Sequence, residues 1–370
     1  MSQTNSNRKP EVAILAPRMC VLGNDPCGGS EVMLWEDARL LQDAGMSVRV
    51  YGAAAKETAP VTTIPLRTQS ALITSLEYCG PFVWREKNKI LMSCNEPTVA
   101  GLAPDRTLVR FEWATPLPRY WRLPGWLRRF QRAQYLFLSQ SDREGFLRDH
   151  AQIPLSSTCV IPYHVDQQLF RPIPRHAEGP VRVGFAGQWV PRKGISELLE
   201  AWLVVKDRVP SAQLEMAGGP SLWKTFQSVP GAEESAAQVK SMEQAGLLRT
   251  VGALPRASMP GFWNSVSVAV VPSHYESFGL VALEAMACGV PVVASKIGGL
   301  SEIVTDGQSG LLVPSQDPAA LAKALLSLLL NEPLRLRLAN GALRRAGDFS
   351  LARRSSGLVG LLQTRKKNLI

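Results

Sequence analysis

The feature that most constrains the fold is a regular alternation of short, β-branched apolar runs with longer segments of helical periodicity. The run EVAILAP (11–17) is followed by the helical pattern SEVMLWEDARLLQDAG (30–45) and then by SVRVYG (47–52). Strand, crossover helix and strand in that order make a βαβ unit, and repeated units build a parallel sheet that helices cover on both faces. The first half therefore predicts a doubly wound α/β domain, with further strands at 89–93, 107–111 and 134–139.

The same alternation restarts after VIPYHVDQQLFRPIPRHAEGP (160–180), a proline-marked stretch with the composition of a linker. At 370 residues the chain has room for two cores of ordinary size. We predict two doubly wound domains, 1–165 and 166–345, facing across a cleft with ligands at the carboxyl ends of the strands, and a final helical segment over 346–370. The second half has a helix predicted at 195–205 and strands at 181–187, 213–218, 248–254, 267–273, 291–295 and 310–314.

The composition indicates which kinds of partner the protein binds and in which cellular compartment it lies. A net charge of +10 favours anionic partners, which include nucleic acid, a phosphate-bearing small molecule or an acidic membrane surface. Six cysteines show neither C-x-x-C nor zinc spacing, which predicts reduced thiols in the cytoplasm. The polar N-terminus lacks a signal sequence and no window has 18 uncharged apolar residues, so we expect at most peripheral attachment to a membrane.

Two carboxylates interrupt the apolar run HYESFGLVALEAMACGVPVVAS, where Glu276 and Glu284 stand eight residues apart. Ser277 is a candidate N-cap and Gly289 a candidate helix stop, so Glu276 is expected on a loop and Glu284 inside the helix. Eight helical residues rise about 12 Å. That is wider than the roughly 5–9.5 Å between the paired carboxyl groups of glycosidases, so a two-carboxylate hydrolase fits poorly. Glu284 could instead pair with a core arginine or accept hydrogen bonds from a hydroxylated ligand.

Two segments of the second half have the chemistry of an anion site. Residues 276–280 place a glycine and free amide groups at a predicted helix N-terminus, directly after a strand. The loop GQWVPRKG (187–194) offers Arg192 and Lys193 between a strand and a helix. Such a cation pair is often only a solvated surface, but on this loop it is suited to clamp a diphosphate.

These segments together resemble the retaining glycosyltransferases of family 4, which have the GT-B fold. The resemblance is carried by FAGQWVPRKGISELLEAW, LEMAGGP, VGALPRASMPGFWNSVSVAVVPSHYESFGLVALEAMACGVPVVASKIGGLSEIV and DGQSGLLVP, in the family's order and spacing. The N-terminal half is similar more loosely, through GGSE at 28–31 and NEP at 95–97. FS at 349–350 also fits, because in such folds the last helix crosses back to the first domain.

The resemblance implies transfer of a sugar from a nucleotide-diphosphate sugar, held mainly by the C-terminal domain, to an acceptor hydroxyl in glycan, polysaccharide or glycolipid biosynthesis. In similar enzymes the residue at Glu276 meets hydroxyls of the donor sugar, the residue at Glu284 bonds the ribose, and those at Arg192 and Lys193 hold the diphosphate. Further donor-binding positions are Gly28, Gly29, Gly187, Gly252, Leu254, Ser277, Phe278, Gly279 and Leu280.

The chemistry implied is electrostatic. Fixed cations and amide dipoles would stabilise the negative charge that grows on the leaving diphosphate, so we expect neither a metal nor another cofactor, and the sequence has no D-x-D motif. No residue stands out as a covalent nucleophile, which favours a front-face substitution. Similar enzymes commonly carry a histidine after the strand at 107–111, where this chain has Glu112. Either Glu112 takes a related catalytic role or the site works differently.

The segment RYWRLPGWLRRFQR (119–132) interleaves arginines with aromatic residues. It is interpreted as a basic surface helix, as an anchor at an anionic membrane near a lipid-linked acceptor, or as a nucleic-acid patch. Because the strongest motifs form a small-molecule pocket, a nucleic-acid partner is not expected. Alternative functions are a nucleotide-sugar epimerase, a phosphorylase, or a regulator that binds a nucleotide sugar without turnover.

Overall fold

The structure is a computed structural model that describes residues 11–17, 29–52, 62–65, 75–111, 119–173, 179–220 and 229–367. The chain divides into two compact units. Unit 1 comprises Met1–Pro162 and Ala352–Ile370, and unit 2 comprises Tyr163–Leu351. The change from one unit to the other at 162/163 falls inside the proline-marked stretch.

Unit 1 is built on a seven-stranded parallel sheet in the order β3-β2-β1-β4-β5-β6-β7. Its strands are β1 (Glu11–Leu15), β2 (Ser47–Gly52), β3 (Thr62–Pro65), β4 (Ile90–Cys94), β5 (Thr107–Arg110), β6 (Gln134–Phe137) and β7 (Thr158–Val160). Its helices before the linker are α1 (Gly29–Asp43), α2 (Ser75–Arg85), α3 (Thr98–Leu102), α4 (Pro124–Arg132) and α5 (Gln140–Asp149).

The central strand β1 of the unit 1 sheet is buried on both faces, as its apolar run predicted. Alternate side chains of β1 point to opposite faces. Val12 and Ile14 pack in one core with residues of α1, whereas Ala13 and Leu15 pack in another with Phe82 of α2. Such two-sided burial is the reason that a parallel strand is apolar along its whole length.

Unit 2 is built on a six-stranded parallel sheet in the order β10-β9-β8-β11-β12-β13. Its core contains Val183 and Phe185 of β8, Trp202 of α6 and Leu325 of α11. The strands are β8 (Arg182–Gln188), β9 (Gln213–Gly219), β10 (Arg249–Gly252), β11 (Val268–Val271), β12 (Val292–Ser295) and β13 (Gly310–Val313). The helices are α6 (Ile195–Arg208), α7 (Ala232–Gln244), α8 (Met259–Ser265), α9 (Leu280–Ala287), α10 (Gly298–Ile303), α11 (Pro318–Leu330) and α12 (Glu332–Ala346).

The last helix, α13 (Leu351–Lys367), returns to unit 1 from Ala352 onward, as the sequence predicted. Leu358 and Leu362 enter the same core as Val12 and Ile14. Arg354 donates two hydrogen bonds to the Asp37 carboxylate of α1, at 2.9 and 2.7 Å, and both side chains are fully buried. A buried charge without a partner is costly, so this bidentate pair fixes how α13 lies on α1.

The sequence predicted eleven of the strands to within a few residues. It missed β3 and β7, which are only four and three residues long. Four described cysteines, at 79, 94, 159 and 288, are free thiols, while Cys20 and Cys27 lie outside the described residues. In the described part of the chain, no helix combines the length and the apolar character needed to cross a membrane.

Candidate functional site

The candidate site lies in unit 2 at the carboxyl edge of its sheet, where the strand order reverses. From β8 the chain winds to β9 on one side, and from β11 it winds to β12 on the other. Ligands of doubly wound sheets bind where two neighbouring strands lead their chains in opposite directions. The turns that follow β8 and β11 therefore lie side by side, and they carry the predicted residues Arg192, Lys193 and Glu276.

An ion pair joins the two turns. The Lys193 Nζ atom lies 2.6 Å from Oε2 of Glu276, and the hydroxyl of Ser273 lies 3.3 Å from the same oxygen. About one fifth of each charged side chain is exposed, 18% for Lys193 and 21% for Glu276. Among the described residues, none donates a hydrogen bond to Oε1 of Glu276. That oxygen can accept a hydrogen bond from a ligand while Oε2 keeps its protein partners.

The turn after β8 approaches the end of β11 closely because of a glycine. Pro191–Lys193 form one turn of 3-10 helix, and Gly194 follows with a φ of 69°. A Cβ atom at Gly194 would lie 2.0 Å from the carbonyl oxygen of Pro272, so no larger residue fits there. The approach is completed by the backbone N–H of His274, which donates to the carbonyl of Arg192 at 2.8 Å. The Arg192 side chain is exposed.

Helix α9 begins at a glycine and not at the serine that the sequence predicted. The N-cap is Gly279, with a φ of 105° that favours glycine, and no side chain caps the helix. Ser277 is instead hydrogen-bonded to the hydroxyl of Tyr275 at 2.9 Å. The first amide groups of α9, near Phe278 and Leu280, therefore have no side-chain cap, which is the arrangement that binds anions.

The end of α9 follows the prediction. Gly289 has a φ of 71°, its N–H donates to Met286, and the next N–H donates to Ala285 at 3.0 Å. These two bonds make a Schellman motif, in which a left-handed glycine closes the helix.

Glu284 has a partner that the sequence analysis allowed but did not name. It is 6% exposed in the middle of α9, and Arg256 Nε lies 3.9 Å from its Oε1. The guanidinium of Arg256 also lies 5.6 Å from the centre of the Phe170 ring. Arg256 stands two residues after Leu254 in the motif VGALPRAS, so a cation close to two predicted donor-binding positions was the available signal.

The remaining predicted residues are spread more widely. Gly187 pairs with Gly218 across β8 and β9, and a Cβ atom at Gly218 would lie 1.8 Å from the Gly187 carbonyl oxygen. Gly252 ends β10 with a φ of 71°, and Leu254 is half-buried in the connection after it. No hydrogen bond or ion pair of the described residues joins either one to the Lys193–Glu276 pair.

The predicted residues of unit 1 are described only in part. Gly29 is the first residue of α1, whereas Gly28 and Glu112 lie outside the described residues. Within the described ranges, no cluster of three or more His, Cys, Asp or Glu side chains has the arrangement of a metal site.

A further connection, through the ring of His274, was not predicted from the sequence. The ring of His274 lies between Glu197 of α6 and Gln316, which precedes α11, at 2.9 Å and 3.3 Å. Glu197 lies in the first turn of α6, directly after the turn that carries Arg192 and Lys193.

The second half of the chain is similar to known glycosyltransferases. Residues 166–345 match the family model described as "Glycosyl transferases group 1". A D-inositol 3-phosphate glycosyltransferase of Frankia alni is 36% identical over 240 residues, which is 60% of this chain and 57% of that enzyme. A second enzyme of that name is matched over 52% of its length, so the chain spans about half the length of the curated relatives it matches.

Solved structures confirm the fold over 96% of the chain. A sucrose-phosphate synthase of Thermosynechococcus elongatus aligns with a TM-score of 0.77 and 22% identity, covering 96% of this chain and 98% of that one. The HepE protein of Anabaena, in complex with UDP and glucose, aligns with a TM-score of 0.75 and 18% identity, covering 96% and 99%. The GT-B architecture of two doubly wound domains, expected from the sequence resemblance, is therefore confirmed.

Proposed function

Because residues 166–345 match the family model of the group 1 glycosyl transferases, we propose that this protein moves a sugar from a nucleoside diphosphate sugar to an acceptor hydroxyl with retention of anomeric configuration. The observation that carries the proposal is the Lys193–Glu276 ion pair at the reversal of strand order. It sets a cation suited to a diphosphate next to a carboxylate suited to sugar hydroxyls. Both groups are partly buried, where charge interactions are stronger than in water.

The donor would occupy unit 2 in one orientation. The side chains of Lys193 and Arg192 and the first amides of α9 would surround the diphosphate. The two side chains carry positive charge, the amides carry positive partial charge, and all of them lie near one edge of the sheet. The Oε1 atom of Glu276 would accept a hydrogen bond from a hydroxyl of the sugar. Glu284, deeper in α9, would accept hydrogen bonds from the ribose hydroxyls. These bonds would replace part of its contact with Arg256.

The reaction proposed is a front-face substitution. The bond between the anomeric carbon and the diphosphate oxygen breaks, the acceptor oxygen bonds to the same face of that carbon, and the acceptor proton passes to the leaving phosphate. Lys193 and Arg192 stabilise the charge on the leaving group without reorganising during the step. No metal or other cofactor is needed for these transfers. Unchanged turnover in EDTA and the absence of a glycosyl adduct on Glu276 or Glu112 by mass spectrometry are the expected results.

Relatives and fold neighbours indicate where to begin the search for substrates. HepE was solved with UDP and with UDP-glucose, and the curated relatives are named for inositol 3-phosphate. We would therefore test UDP sugars first, followed by GDP, ADP and TDP sugars. The acceptors would be an inositol phosphate, free sugars and lipid-linked sugars of glycan, polysaccharide or glycolipid biosynthesis.

The acceptor is proposed to be reached at the inner face of a membrane, with the protein otherwise cytoplasmic. Arg122, Leu123 and Arg128 are exposed around the start of α4, with Leu123 56% exposed. Arg129 and Arg132 are also exposed, but they are bonded to the Gly101 carbonyl and to Asp105. Co-sedimentation with vesicles containing an anionic lipid, lost at high salt, would support this attachment. No binding at low salt would contradict it.

One assay separates the proposed function from its alternatives. Product analysis with each donor identifies a transferred sugar, an epimerised donor or a released sugar phosphate. Retention is read from the anomeric signals of the product by NMR. Nucleotide binding without any turnover would instead support a regulator.

A further inference from the structure

His274 connects three elements around the candidate donor site. It lies between the end of β11 and Glu276, and its backbone N–H donates to the Arg192 carbonyl at 2.8 Å. The Nε2 atom of its ring lies 2.9 Å from Oε1 of Glu197 in the first turn of α6. The Nδ1 atom lies 3.3 Å from the side-chain amide of Gln316. One residue thus links the turn after β8, the start of α6 and the loop before α11.

The two side-chain partners suit one tautomer of the ring. With the amide nitrogen of Gln316 facing Nδ1 of His274, Nδ1 accepts, and the matching tautomer carries its proton on Nε2. That proton is donated to the carboxylate of Glu197. The position of Glu197 also suits an acidic side chain, because the first turn of a helix carries positive partial charge. The side chains of His274 and Glu197 are only 23% and 20% exposed, so water competes weakly for this bond.

The backbone of Gln316 is strained where its side chain meets His274. Its φ is 61°, in the left-handed region that residues with a side chain seldom occupy. Such conformations persist where the surrounding structure determines them, and they cluster at functional sites. A second bond ties the same loop to the turn after β11, since Ser315 Oγ lies 3.4 Å from the Ser273 carbonyl.

We propose that His274 is a positioning residue for the donor site, an inference that rests on the function proposed above. Its ring holds the start of α6, and its backbone holds the Arg192 carbonyl, on either side of Lys193. This fixes where the Lys193 ammonium and the Glu276 carboxylate lie relative to each other. Charge stabilisation of a leaving group depends on such preorganisation, and small displacements of the cation reduce it.

The test compares His274→Ala, His274→Gln, Glu197→Ala and the double variant His274→Ala/Glu197→Ala. Ser196→Ala is the matched control, because Ser196 neighbours Glu197 but bonds Gln238 on the exposed side of α6. For each protein we would measure the dissociation constant of UDP by calorimetry, kcat and KM for the donor, and Tm. Binding is measured at a temperature at which circular dichroism shows every variant folded.

We expect His274→Ala to weaken UDP binding and to lower kcat/KM about tenfold, the effect of losing one well-placed hydrogen bond to a charged group. His274→Gln should recover most of both, because its amide can donate to Glu197 from the place of Nε2. The double variant should be no worse than His274→Ala alone, because both changes remove the same connection. Ser196→Ala should match the wild type.

Three results would overturn the inference. UDP binding and turnover of His274→Ala could equal those of the wild type, with only Tm lowered. The losses of His274→Ala and Glu197→Ala could add in full. The Gln variant could be as inactive as the Ala variant, which would indicate proton transfer by the ring. A wild-type protein that binds no nucleotide and turns over no sugar would instead contradict the proposed function itself.

Discussion

The Lys193 ammonium lies 2.6 Å from the Glu276 carboxylate, so an ion pair joins the turns that follow β8 and β11. The two partners are proposed to meet different parts of the donor, and their removal should have different effects on the binding of UDP, which lacks the transferred sugar. Glu276→Ala should leave UDP binding unchanged or tighter, because Lys193 is released to the diphosphate. It should lower kcat/KM by about 10²-fold or more.

Lys193→Ala should weaken UDP binding by about tenfold or more, because the diphosphate loses a partly buried cation. Calorimetry with UDP and initial rates with the best donor measure both quantities. Glu200→Ala and Lys323→Ala are exposed controls of the same charge in α6 and α11. Equal losses of UDP affinity in Glu276→Ala and Lys193→Ala would contradict the assignment.

Glu284→Ala should weaken UDP binding by about 10- to 100-fold, the effect of losing charged hydrogen bonds to ribose. Pyrophosphate, which lacks the ribose, should bind this variant as it binds the wild type. The readout is the dissociation constant of each probe, with the exposed Glu233→Ala as control. A nucleotide-induced Tm shift equal to that of the wild type would show that Glu284 serves only Arg256.

Gly299→Ala should destabilise unit 2 by about 2 kcal/mol or more through overpacking. A Cβ atom there would lie 2.4 Å from Cα of Phe278 and 2.6 Å from the Ser277 carbonyl oxygen, so the loop bearing Glu276 must move. UDP binding should weaken with it. Gly261→Ala is the matched control, because Gly261 is helical and a Cβ atom there would meet nothing within 4 Å beyond its own helix backbone. Alanine there should stabilise by about 0.4–1 kcal/mol. Guanidinium unfolding measures both, and equal stabilities would refute the packing argument.

Asp37→Ala should cost about 3–5 kcal/mol of unfolding free energy, because it leaves buried Arg354 and Arg110 without their shared counter-charge. Arg354→Met should cost less, since Arg110 still lies 3.5 Å from Asp37. Arg353→Met, on the exposed side of α13, is the control. If Arg354→Met proved costlier than Asp37→Ala, its bond to the Ile161 carbonyl would be the dominant contact.

The stability of unit 1 should fall at both ends of the pH scale because of the buried pair Tyr51 and Glu86. Burial opposes ionisation of Glu86, but hydrogen bonds from Tyr51 and Lys89, with the charges of Lys89 and Arg49, lower its pKa below the ordinary 4.5. Burial and the bond to Glu86 raise the pKa of Tyr51 from 10.0 to about 12.

The signs follow from linkage. The Glu86 contribution is present above pH 4.5 and is lost as the pH falls through the depressed pKa. The Tyr51 contribution is present below pH 10.0 and is lost as the pH rises toward about 12. Urea unfolding should show a shallower acid dependence for Glu86→Gln and a shallower alkaline dependence for Tyr51→Phe. The exposed Glu144→Gln should follow the wild type at both ends, and parallel curves for all four proteins would contradict the argument.

Sequence reasoning worked where the cause is local. The period of the apolar runs predicted the strands, and a glycine after an apolar helix predicted the stop at Gly289. At the other end of α9 the local preference for Ser277 was wrong, because the helix begins at Gly279, whose backbone is left-handed and where a Cβ atom would lie 2.7 Å from Leu300 of α10. The two motifs that carry Lys193 and Glu276 were visible in the sequence. The ion pair between them was not.

The His274 connection could not be predicted, because it depends on distant parts of the chain. Its partners Glu197 and Gln316 are 77 and 42 residues away. They meet because β8 and β11 are neighbours in the sheet and α6 and α11 pack together, which is a property of strand order. Arg256 was missed for a related reason, since its partner Glu284 comes from a different βα unit.

The return of α13 to unit 1 has a consequence for synthesis. The ribosome makes Asp37 early, but Arg354 emerges only after the whole of unit 2 has been translated. Until then the nascent unit 1 holds a buried carboxylate that lacks its bidentate partner and a core that lacks Leu358 and Leu362. Domains generally fold in the order in which they are made. Here the second unit can complete its fold first, and the first unit reaches its final stability last.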